Sequence, residues 1–378
     1  MKNFKDLGIN KEIRSILDGI GFKNPTDIQS GTIPAILEGR DLIGQAETGS
    51  GKTAACGIPL VQMVDKNINK VQALILAPTR ELAIQYLNEV SSIARPYGVK
   101  AFVVYGGFDI NIQMAKLNDG VQILVATPGR LTDIIYNRHF PLNEVKTFVI
   151  DEADEMLKMG FIEDVDFIKK CMIHEHQTLL FSATMPDPIK KLAQNYLKDA
   201  KHIKLNQEKV QPENLSHCVV NVSRREKDNT LKKFLLKEDI SQAIVFCNTR
   251  RKAERLCAKM RKKIKGMDFL HGGLKQHQRT KIINNFRRKK TKFIVTTDVM
   301  ARGVDIRNVS HIINYDVSQN AQTYIHRSGR TARMGNEGIC VSFVSSGEQE
   351  KFEEIKDVSD IKSKDLKKLD YGRRGRSK

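Results

Sequence analysis

Short runs of aliphatic and β-branched residues alternate with longer helical patterns along most of the chain. In the first half these runs are Asp41–Gly44, Ala73–Ala77, Ala101–Tyr105, Gln122–Ala126, Thr147–Ile150 and Leu179–Ser182. In the second half they are Ala243–Cys247, Phe269–His271, Phe293–Thr296, His311–Asn314 and Ile339–Val344. Continuous apolar runs between helices are typical of parallel strands buried on both faces. The chain is therefore predicted to belong to the α/β class.

Because the alternating pattern occurs twice, we expect two tandem domains, each a mostly parallel sheet with helices on both faces. The first is predicted to cover residues 1–205 and the second residues 215–360. Residues 206–214 are polar, contain Pro212 and are predicted to link the two domains. Residues 361–378 are predicted to form a flexible basic tail, because they are charged and contain few apolar residues.

Charge is distributed unevenly over the 378 residues, which carry a formal net charge of +19. Residues 1–205 hold 24 basic and 24 acidic residues, whereas the rest of the chain holds 39 and 20. Within residues 250–292 there are 17 basic residues, and Glu254 and Asp268 are the only acids. Such clustering favours a polyanion as partner. A solvated basic helix face would give the same composition, and charge alone leaves the two interpretations equally open.

Targeting and redox signals point to the cytoplasm. The chain has no run of 18 apolar residues, and the first residues, Met1–Asp6, contain no apolar signal core. The six cysteines are scattered without a C-x-x-C pair, which argues against a zinc site and for reduced thiols. We therefore expect a cytoplasmic protein without a membrane partner.

One stretch, residues 46–53 (Ala-Glu-Thr-Gly-Ser-Gly-Lys-Thr), carries the pattern of a phosphate-binding loop. A glycine-rich turn between a strand and a helix directs backbone N–H groups and the helix dipole at a phosphate. Lys52 is expected to reach the β- and γ-phosphates, and the Thr53 hydroxyl to bind Mg²⁺. The loop backbone that cradles the phosphates is predicted to be Thr48, Gly49, Ser50 and Gly51. Ala46 stands where the general pattern has glycine, and an ordinary flexible strand–helix loop is the alternative.

Four residues, Asp151-Glu152-Ala153-Asp154, directly follow the apolar run Thr147–Ile150. Carboxylates at the carboxyl end of a parallel strand lie where such sheets bind ligands. We expect Asp151 to hold Mg²⁺ largely through water, opposite Thr53, and Glu152 to orient and deprotonate the attacking water. The alternative is an acidic helix N-terminus stabilised by the dipole. A phosphate loop about a hundred residues earlier favours the phosphoryl-transfer interpretation.

These motifs, with those described next, appear in the order of a DEAD-box RNA helicase of superfamily 2, and the chain resembles a bacterial-type minimal core of that family over nearly its whole length. The resemblance implies two RecA-like domains, ATP and Mg²⁺ as cofactors, and RNA as partner of a monomeric enzyme. It also implies RNA-stimulated ATP hydrolysis coupled to local, non-processive unwinding of short duplexes or remodelling of ribonucleoproteins. An ATP-gated RNA clamp that acts as a scaffold has the same motifs and stays open as an alternative, and a DNA-dependent motor is a third. Protein partners, the physiological RNA and the pathway are not indicated.

The segment Gly21–Gln29, preceded by Phe4, resembles the family's Q motif. The side-chain amide of Gln29 offers a donor and an acceptor, which suits adenine. By analogy with the family, Phe4 is expected to stack on the base, and a plain core contact is the alternative.

Several further motifs imply contacts with the RNA backbone. Three of these motifs follow predicted strands of the first half: motif Ia (Pro78–Ala83), the GG turn (Gly106-Gly107) and motif Ib (Thr127–Arg130). Three more lie in the second half: motif IV (Ala243–Thr249), a Q-x-x-R element (Gln276–Arg279) and motif V (Thr297–Ile306). Their residues suit sugar and phosphate rather than base edges. By resemblance the RNA-contacting residues are Arg80, Gly107, Thr127, Gly129, Arg130, Arg279, Thr297 and Arg302.

The remaining motifs imply that both halves complete the ATP site. Ser182 and Thr184 of motif III, with His326 of motif VI, are expected to couple hydrolysis to RNA, and Asp305 to bind the ribose of ATP. Arg330 and Arg333 of motif VI are candidate arginine fingers for the γ-phosphate. Because they are three residues apart, a helix would project them from one face. Hydrolysis is therefore expected to require closure of the two domains.

Overall fold

A computed structural model describes residues 3–46, 50–205, 214–236, 240–298, 309–332, 336–359, 361 and 363–365. The chain divides into two compact units, Met1–Asn206 and Gln207–Lys378. Each unit contains its own seven-stranded parallel sheet, as the alternating pattern predicts.

The sheet of the first unit has the strand order β3-β4-β2-β5-β6-β1-β7. Its strands are β1 (Leu42–Gln45), β2 (Ala73–Leu76), β3 (Ala101–Val104), β4 (Ile123–Ala126), β5 (Thr147–Ile150), β6 (Gln177–Ser182) and β7 (Lys201–Lys204). The central strands are buried on both faces, which explains their continuous apolar sequence. Alternate residues of β2 belong to two separate cores, since Ile75 packs in one and Leu74 and Leu76 in the other.

Helices cover both faces of this sheet. They are α1 (Lys11–Gly19), α2 (Asp27–Leu37), α3 (Lys52–Met63), α4 (Arg80–Tyr97), α5 (Ile110–Asn118), α6 (Pro128–Arg138), α7 (Ala153–Lys158), α8 (Ile162–Lys170) and α9 (Asp187–Tyr196). Helix α4 shows how local sequence fixes the ends: the Thr79 hydroxyl accepts a hydrogen bond from the Leu82 N–H at 3.3 Å. Gly98 then ends the helix at φ 86°, a conformation that favours glycine.

The second unit repeats this arrangement with the order β10-β11-β9-β12-β13-β8-β14. Its strands are β8 (Leu215–Asn221), β9 (Ala243–Phe246), β10 (Met267–Leu270), β11 (Phe293–Thr296), β12 (His311–Asn314), β13 (Gly338–Val344) and β14 (Ser363–Asp365). Its described helices are α10 (Lys227–Leu235), α11 (Arg250–Arg261), α12 (Gln276–Arg287), α13 (Ala321–Ser328) and α14 (Gln349–Ser359). Two apolar clusters again pack on opposite faces of the sheet. Across the described part of both units, no helix is long and apolar enough to cross a membrane.

Three strands were not predicted from the apolar pattern. Strand β7 is an exposed edge strand with the sequence Lys-His-Ile-Lys, and β8 mixes polar residues with its apolar ones. Strand β14 lies inside the segment predicted to be a tail, so the sheet extends at least to Asp365. An edge strand needs little apolar sequence because one side and one face meet water. The predicted linker, apart from Asn214, and the tail after Asp365 lie outside the described residues.

Candidate nucleotide and nucleic-acid site

The strand order of the first unit places three sequence motifs side by side. Strands β5, β6 and β1 are neighbours, and their carboxyl ends lead into the acidic residues, the Ser-Ala-Thr motif and the phosphate loop. Because all three strands are parallel, these segments meet at the carboxyl-terminal end of the sheet. Ligands of parallel α/β sheets bind at this end.

Lys52 is the first residue of α3 and is only 5% exposed. Its Nζ donates a hydrogen bond to the Ala46 carbonyl oxygen at 3.0 Å and lies 4.0 Å from Asp151 Oδ1. Burial raises the pKa of Asp151, while the nearby Lys52 ammonium and the Glu152 backbone N–H act in the opposite direction. A buried cation at a helix N-terminus therefore faces a buried carboxyl group across the end of the phosphate loop.

Gly51 allows the close approach of the Q motif to the loop. It has φ 96°, and a Cβ at this position would lie 2.7 Å from Gln29 Nε2. Gln29 Nε2 donates a hydrogen bond to the Gly51 carbonyl at 3.2 Å, and Gln29 Oε1 accepts one from the Thr26 N–H at 3.0 Å. The Thr26 hydroxyl in turn donates to the Ser50 carbonyl at 3.0 Å. The Gln29 amide therefore joins the start of α2 to the phosphate loop.

Phe4 lies in the apolar core of the first unit and is 5% exposed. The core contact of Phe4, which was the alternative to stacking on the base, is therefore present in this structure. Stacking of Phe4 on a base stays a prediction.

Glu152 occupies the turn between β5 and α7. Its φ of 51° is in the left-handed region, which is uncommon for a residue with a side chain. Its N–H donates to Asp151 Oδ1 at 2.9 Å, and its carbonyl accepts the N–H of Met156 in the first turn of α7. Backbone strain of this kind is concentrated at functional sites, where surrounding contacts hold it.

The hydroxyls of motif III bind the acidic segment. The Thr184 hydroxyl donates to Asp154 Oδ2 at 2.8 Å, and Ser182 Oγ accepts the Asp154 N–H at 3.3 Å. Burial raises the pKa of Asp154, but the hydrogen bond from Thr184 and the nearby Lys158 outweigh it and lower the pKa below its ordinary value. Motif III is therefore tied to the end of β5 through an ionised carboxylate. Coupling through His326, which is half-buried in the second unit, stays a prediction.

The donors at this edge suit a hard cation that retains other ligands. Asp151 and the Thr53 hydroxyl are both buried at adjoining strand and helix ends. Among the described residues no group of three or more His, Cys, Asp and Glu side chains could hold a metal by itself. Mg²⁺ in phosphate-transfer sites is commonly held by one or two protein oxygens together with substrate phosphates and water. Asp151 and Thr53 therefore fit Mg²⁺ only as partners of a bound nucleotide.

The predicted RNA contacts of the first unit follow β2, β3 and β4. They lie at the same carboxyl-terminal end of the sheet, beside β5, β6 and β1. The Arg80 guanidinium packs on the GG turn, since a Cβ on Gly107 would lie 2.5 Å from Arg80 Nη1. Arg130 Nη1 donates to the Phe108 carbonyl at 2.9 Å, and Thr127 immediately precedes α6. Gly129 lies within the first turn of that helix. The structure thus brings the three motifs together around one turn.

In the second unit, Arg279 and Thr297 are both buried, at 6% and 8% exposure. Thr297 directly follows β11, and Arg279 lies in the first turn of α12, where its Nη1 donates to Gln276 Oε1 at 3.2 Å. Arg330 is 3% exposed. The expectation that a helix presents Arg330 and Arg333 is wrong for Arg330, because α13 ends at Ser328 and Gly329 caps it.

Five of the predicted site residues lie outside the described residues. They are Thr48 and Gly49 of the phosphate loop, Arg302 and Asp305 of motif V, and Arg333 of motif VI.

Sequence reasoning missed Arg327, which is 1% exposed and joins three motifs. Its Nε and Nη2 donate to the two carboxylate oxygens of Asp298, at 2.5 and 2.8 Å. Nη2 also donates to Asn248 Oδ1 at 2.9 Å, and Nη1 donates to Asn314 Oδ1 and the Asp316 carbonyl at 3.1 and 2.8 Å. All five guanidinium N–H donors are therefore satisfied. A cation inside a basic motif gives no sequence sign of burial, so only the fold reveals this role.

Comparison with known proteins gives a consistent result. Residues 26–192 match the family model described as DEAD/DEAH box helicase, and residues 226–335 match the helicase conserved C-terminal domain. The chain is 42% identical to ATP-dependent RNA helicase DbpA of Bacillus subtilis, over 92% of this chain and 73% of that protein. It is 42% identical to ATP-dependent RNA helicase CshA of Listeria monocytogenes, over 92% of this chain and 67% of that protein.

Solved structures of similar fold include S. cerevisiae Dbp5 bound to RNA and ADP BeF3. That match has a TM-score of 0.88 and 30% identity, and covers 97% of this chain and 96% of the Dbp5 chain. Mss116p bound to single-stranded RNA and AMP-PNP matches with a TM-score of 0.82 and 32% identity, covering 97% of this chain and 80% of the other. The RecA-like architecture expected for both units is confirmed by these likenesses.

Proposed function

Because the chain belongs to the DEAD/DEAH box helicase family, we propose that it is an ATP-dependent RNA helicase in which RNA stimulates ATP hydrolysis. The observation that carries the proposal is the placement of Lys52 Nζ, at the start of α3, 4.0 Å from Asp151 Oδ1, which follows the carboxyl end of β5. This arrangement puts a buried cation and a buried carboxyl group where a phosphate loop ends and a helix begins.

Nucleotide binding is assigned to the first unit. The amide of Gln29 and the ring of Phe4 recognise the base, and residues 48–53 hold the phosphates. Lys52 neutralises phosphate charge, and Thr53 and Asp151 are the protein groups for Mg²⁺. When bound, Mg²⁺ neutralises charge on the phosphate oxygens. The closeness of Gln29 to the Gly51 carbonyl supports a site in which base and phosphates are recognised together.

Hydrolysis is assigned to residues of both units. Glu152 orients the attacking water and accepts its proton, which its place next to Asp151 supports. Arg330 and Arg333 stabilise the charge of the γ-phosphate, and Asp305 binds the ribose. In phosphoryl-transfer enzymes an arginine of this kind contributes roughly 10³–10⁵ in rate. With these residues on separate units, ATP turnover depends on both.

RNA binding is assigned to backbone contacts from both units. The first contributes Arg80, Gly107, Thr127, Gly129 and Arg130, and the second contributes Arg279, Thr297 and Arg302. Ser182, Thr184 and His326 couple RNA binding to hydrolysis. Contacts to sugar and phosphate predict weak sequence preference and strong dependence on salt. The similar structures of Dbp5 and Mss116p are complexes with RNA, which supports this assignment.

The mode of action we propose is local, non-processive unwinding of short duplexes, or remodelling of ribonucleoproteins, by a cytoplasmic monomer. If the RNA contacts fit only a bent single strand, each ATP-bound cycle displaces one short strand. All six cysteines are free thiols, which agrees with a reducing compartment.

The test combines ATP hydrolysis and strand release in the full-length protein. We expect hydrolysis to increase on addition of single-stranded RNA and not of DNA of the same sequence, and a short duplex to separate in the presence of ATP. The Glu152→Gln variant should bind ATP and RNA but should neither hydrolyse the ATP nor release the RNA for another cycle. Absence of RNA stimulation would contradict the proposal, and long RNA retention without strand release would favour the ATP-gated clamp.

A further inference from the structure

Two groups of cations within residues 250–292 differ in their ion pairs. On α11, Lys252 pairs with Asp316, Lys259 with Asp228 at 2.6 Å, and Arg261 with Asp268. Asp228 and Asp316, from elsewhere in the unit, and Asp268, from the segment itself, therefore neutralise part of the charge that the sequence shows as one cluster. These paired cations stabilise the unit and contribute little positive potential at its surface.

The second group is a set of exposed cations in two neighbouring loops, and we name it the basic edge. Its members are Lys262, Lys263, Lys265, Arg288, Lys289 and Lys290. Within the described part of the chain none of the six is in an ion pair. Asp268, which lies beside these loops, is paired with Arg261 and also accepts a hydrogen bond from the Thr291 hydroxyl. A group of exposed cations that form no ion pairs is the electrostatic signature of a polyanion surface.

The hydrogen bonds of the backbone hold the two loops together. The N–H groups of Lys292 and Phe293 both donate to the Gly266 carbonyl, at 2.7 and 2.9 Å. The loops then enter β10 and β11, which pair in register from Met267 opposite Phe293. The six cations therefore lie together at the amino ends of two adjacent strands.

This position separates the basic edge from the predicted RNA contacts of the unit. Thr297 follows the carboxyl end of β11, at the opposite end of the same strand. A strand of four residues is roughly 13 Å long. The basic edge is therefore a second surface, displaced along the sheet from the motif residues.

Lys289 of the basic edge has an unusual backbone conformation. It has φ 58° at the end of α12, where its N–H donates to the Phe286 carbonyl at 2.9 Å. Glycine or asparagine is the usual residue in this left-handed position, because other side chains are strained there. The sequence places a lysine where local stability favours glycine.

The composition of the edge indicates nucleic acid rather than a lipid surface. Among the described residues, no large exposed hydrophobic side chain lies between Leu236 and Val358 in the sequence. Membrane-binding surfaces combine cations with apolar groups that insert between lipids. Phosphate backbones need only the cations.

We propose that the basic edge binds backbone phosphates of RNA that flanks the segment held by the motif residues. This inference rests on the proposed RNA-binding function and extends it to a second surface on the same unit. The edge anchors a longer RNA without reading its sequence.

The test uses the full-length protein with a non-hydrolysable ATP analogue and two kinds of RNA. One is a short single strand that covers only the motif site, and the other carries the same strand extended by a duplex arm at either end. The edge variant replaces Lys262, Lys263, Lys265, Lys289 and Lys290 by glutamine. We expect the arm to tighten wild-type binding about tenfold or more at low salt, and the variant to lose that gain. The slope of log affinity against log salt should fall by about three to five.

A matched variant removes the same charge from other elements of the second unit, by replacing Arg224, Arg225, Lys232, Lys233 and Lys351 with glutamine. It should keep the gain in affinity from the duplex arm. Both variants should bind the short strand and hydrolyse ATP as the wild type does. Failure of the wild type to bind the short strand would contradict the proposed function. Normal short-strand binding without any gain from the arm would overturn only the basic edge.

Two further measurements sharpen the outcome. Lys289→Gly should weaken binding of the extended RNA while raising the thermal stability of the protein, because glycine relieves the strain at this position. A structural role for the lysine would instead lower stability. The second measurement tests binding to vesicles containing phosphatidylserine. The proposal would be overturned if the edge variant lost binding to these vesicles but bound the extended RNA as the wild type does.

Discussion

The two units share one strand order but use the same positions for different chemistry. Counted from the first strand of each sheet, both orders read three, four, two, five, six, one, seven. In the first unit β1 leads into the glycine-rich phosphate loop, whereas in the second β8 leads into residues 222–226, which contain no glycine. The same scaffold therefore carries the proposed phosphate site in one unit and lacks a glycine-rich loop at the matching position of the other.

The fifth strands show the contrast more sharply. After β5 the carboxyl group of Asp151 lies 4.0 Å from Lys52, longer than a hydrogen bond. After β12 the carboxyl group of Asp316 is in direct contact with Lys252 and also accepts the Asn248 N–H at 3.0 Å. Asp316 is therefore bound directly by two protein groups, whereas the longer distance between Lys52 and Asp151 is consistent with the proposed nucleotide site.

The largest expected effect comes from replacing the two lysines that are compared, Lys52 and Lys252. Lys52→Ala should abolish ATP binding and reduce turnover by at least about 10³-fold, because it removes the buried cation from the phosphate loop. The matched change Lys252→Ala should leave nucleotide affinity unchanged and lower the free energy of unfolding by about 1–3 kcal/mol. Nucleotide titration and denaturant unfolding of both variants measure this, and equal ATP affinity of Lys52→Ala and wild type would refute it.

Glu152 tests whether strain and catalysis coincide in the first unit. Glu152→Gln should lower kcat by roughly 10²–10⁴ while ATP binding persists. Glu152→Gly should lose the same activity but raise stability, because φ 51° suits glycine. Single-turnover kinetics and thermal melts of the pair separate the two effects, and an active glycine variant would remove Glu152 from its proposed role.

Arg327 tests the corresponding structural centre of the second unit. Arg327→Met should lower the free energy of unfolding by about 3–5 kcal/mol, because it leaves Asp298 and its other partners without their donor. The loss is measured by urea unfolding of the full chain, from the unfolding transition of the second unit. The control is Arg251→Met, which removes an exposed arginine and should change stability by less than about 0.5 kcal/mol. A small effect of Arg327→Met would show that the buried network is replaceable.

The smallest effect concerns acid stability. Burial lowers the pKa of His217 on β8 to about 4. The unfolded chain takes up a proton near pH 6.5, so the stability from keeping this side chain neutral is complete above pH 6.5 and is lost as pH falls toward 4. The loss reaches about 3 kcal/mol at most. Thermal melts between pH 7 and 4 should show a smaller loss for His217→Gln, and an identical pH profile would contradict this.

The sequence predicts those parts of the molecule that depend on continuous apolar strands and on local motifs. Thr147–Ile150, Phe293–Thr296 and His311–Asn314 have the predicted bounds because each is buried on both faces. The strands β7 and β14 escape prediction because an edge position tolerates polar residues. Arg327 escapes because its burial depends on partners that are distant in the sequence, and the split of the basic segment into paired and exposed cations depends on acids such as Asp228 and Asp316.

The hydrogen-bond network of the Arg327 guanidinium group constrains how the sequence of this chain can evolve. Asn248, Asp298, Asn314 and Arg327 come from four separate segments, yet each supplies a bond that the others cannot replace. A substitution at Asn248, Asp298 or Asn314 leaves a donor of the buried Arg327 without its partner, so we expect selection against an isolated change. These four positions should be inherited together across descendants of this chain, and lost together wherever one of them is lost.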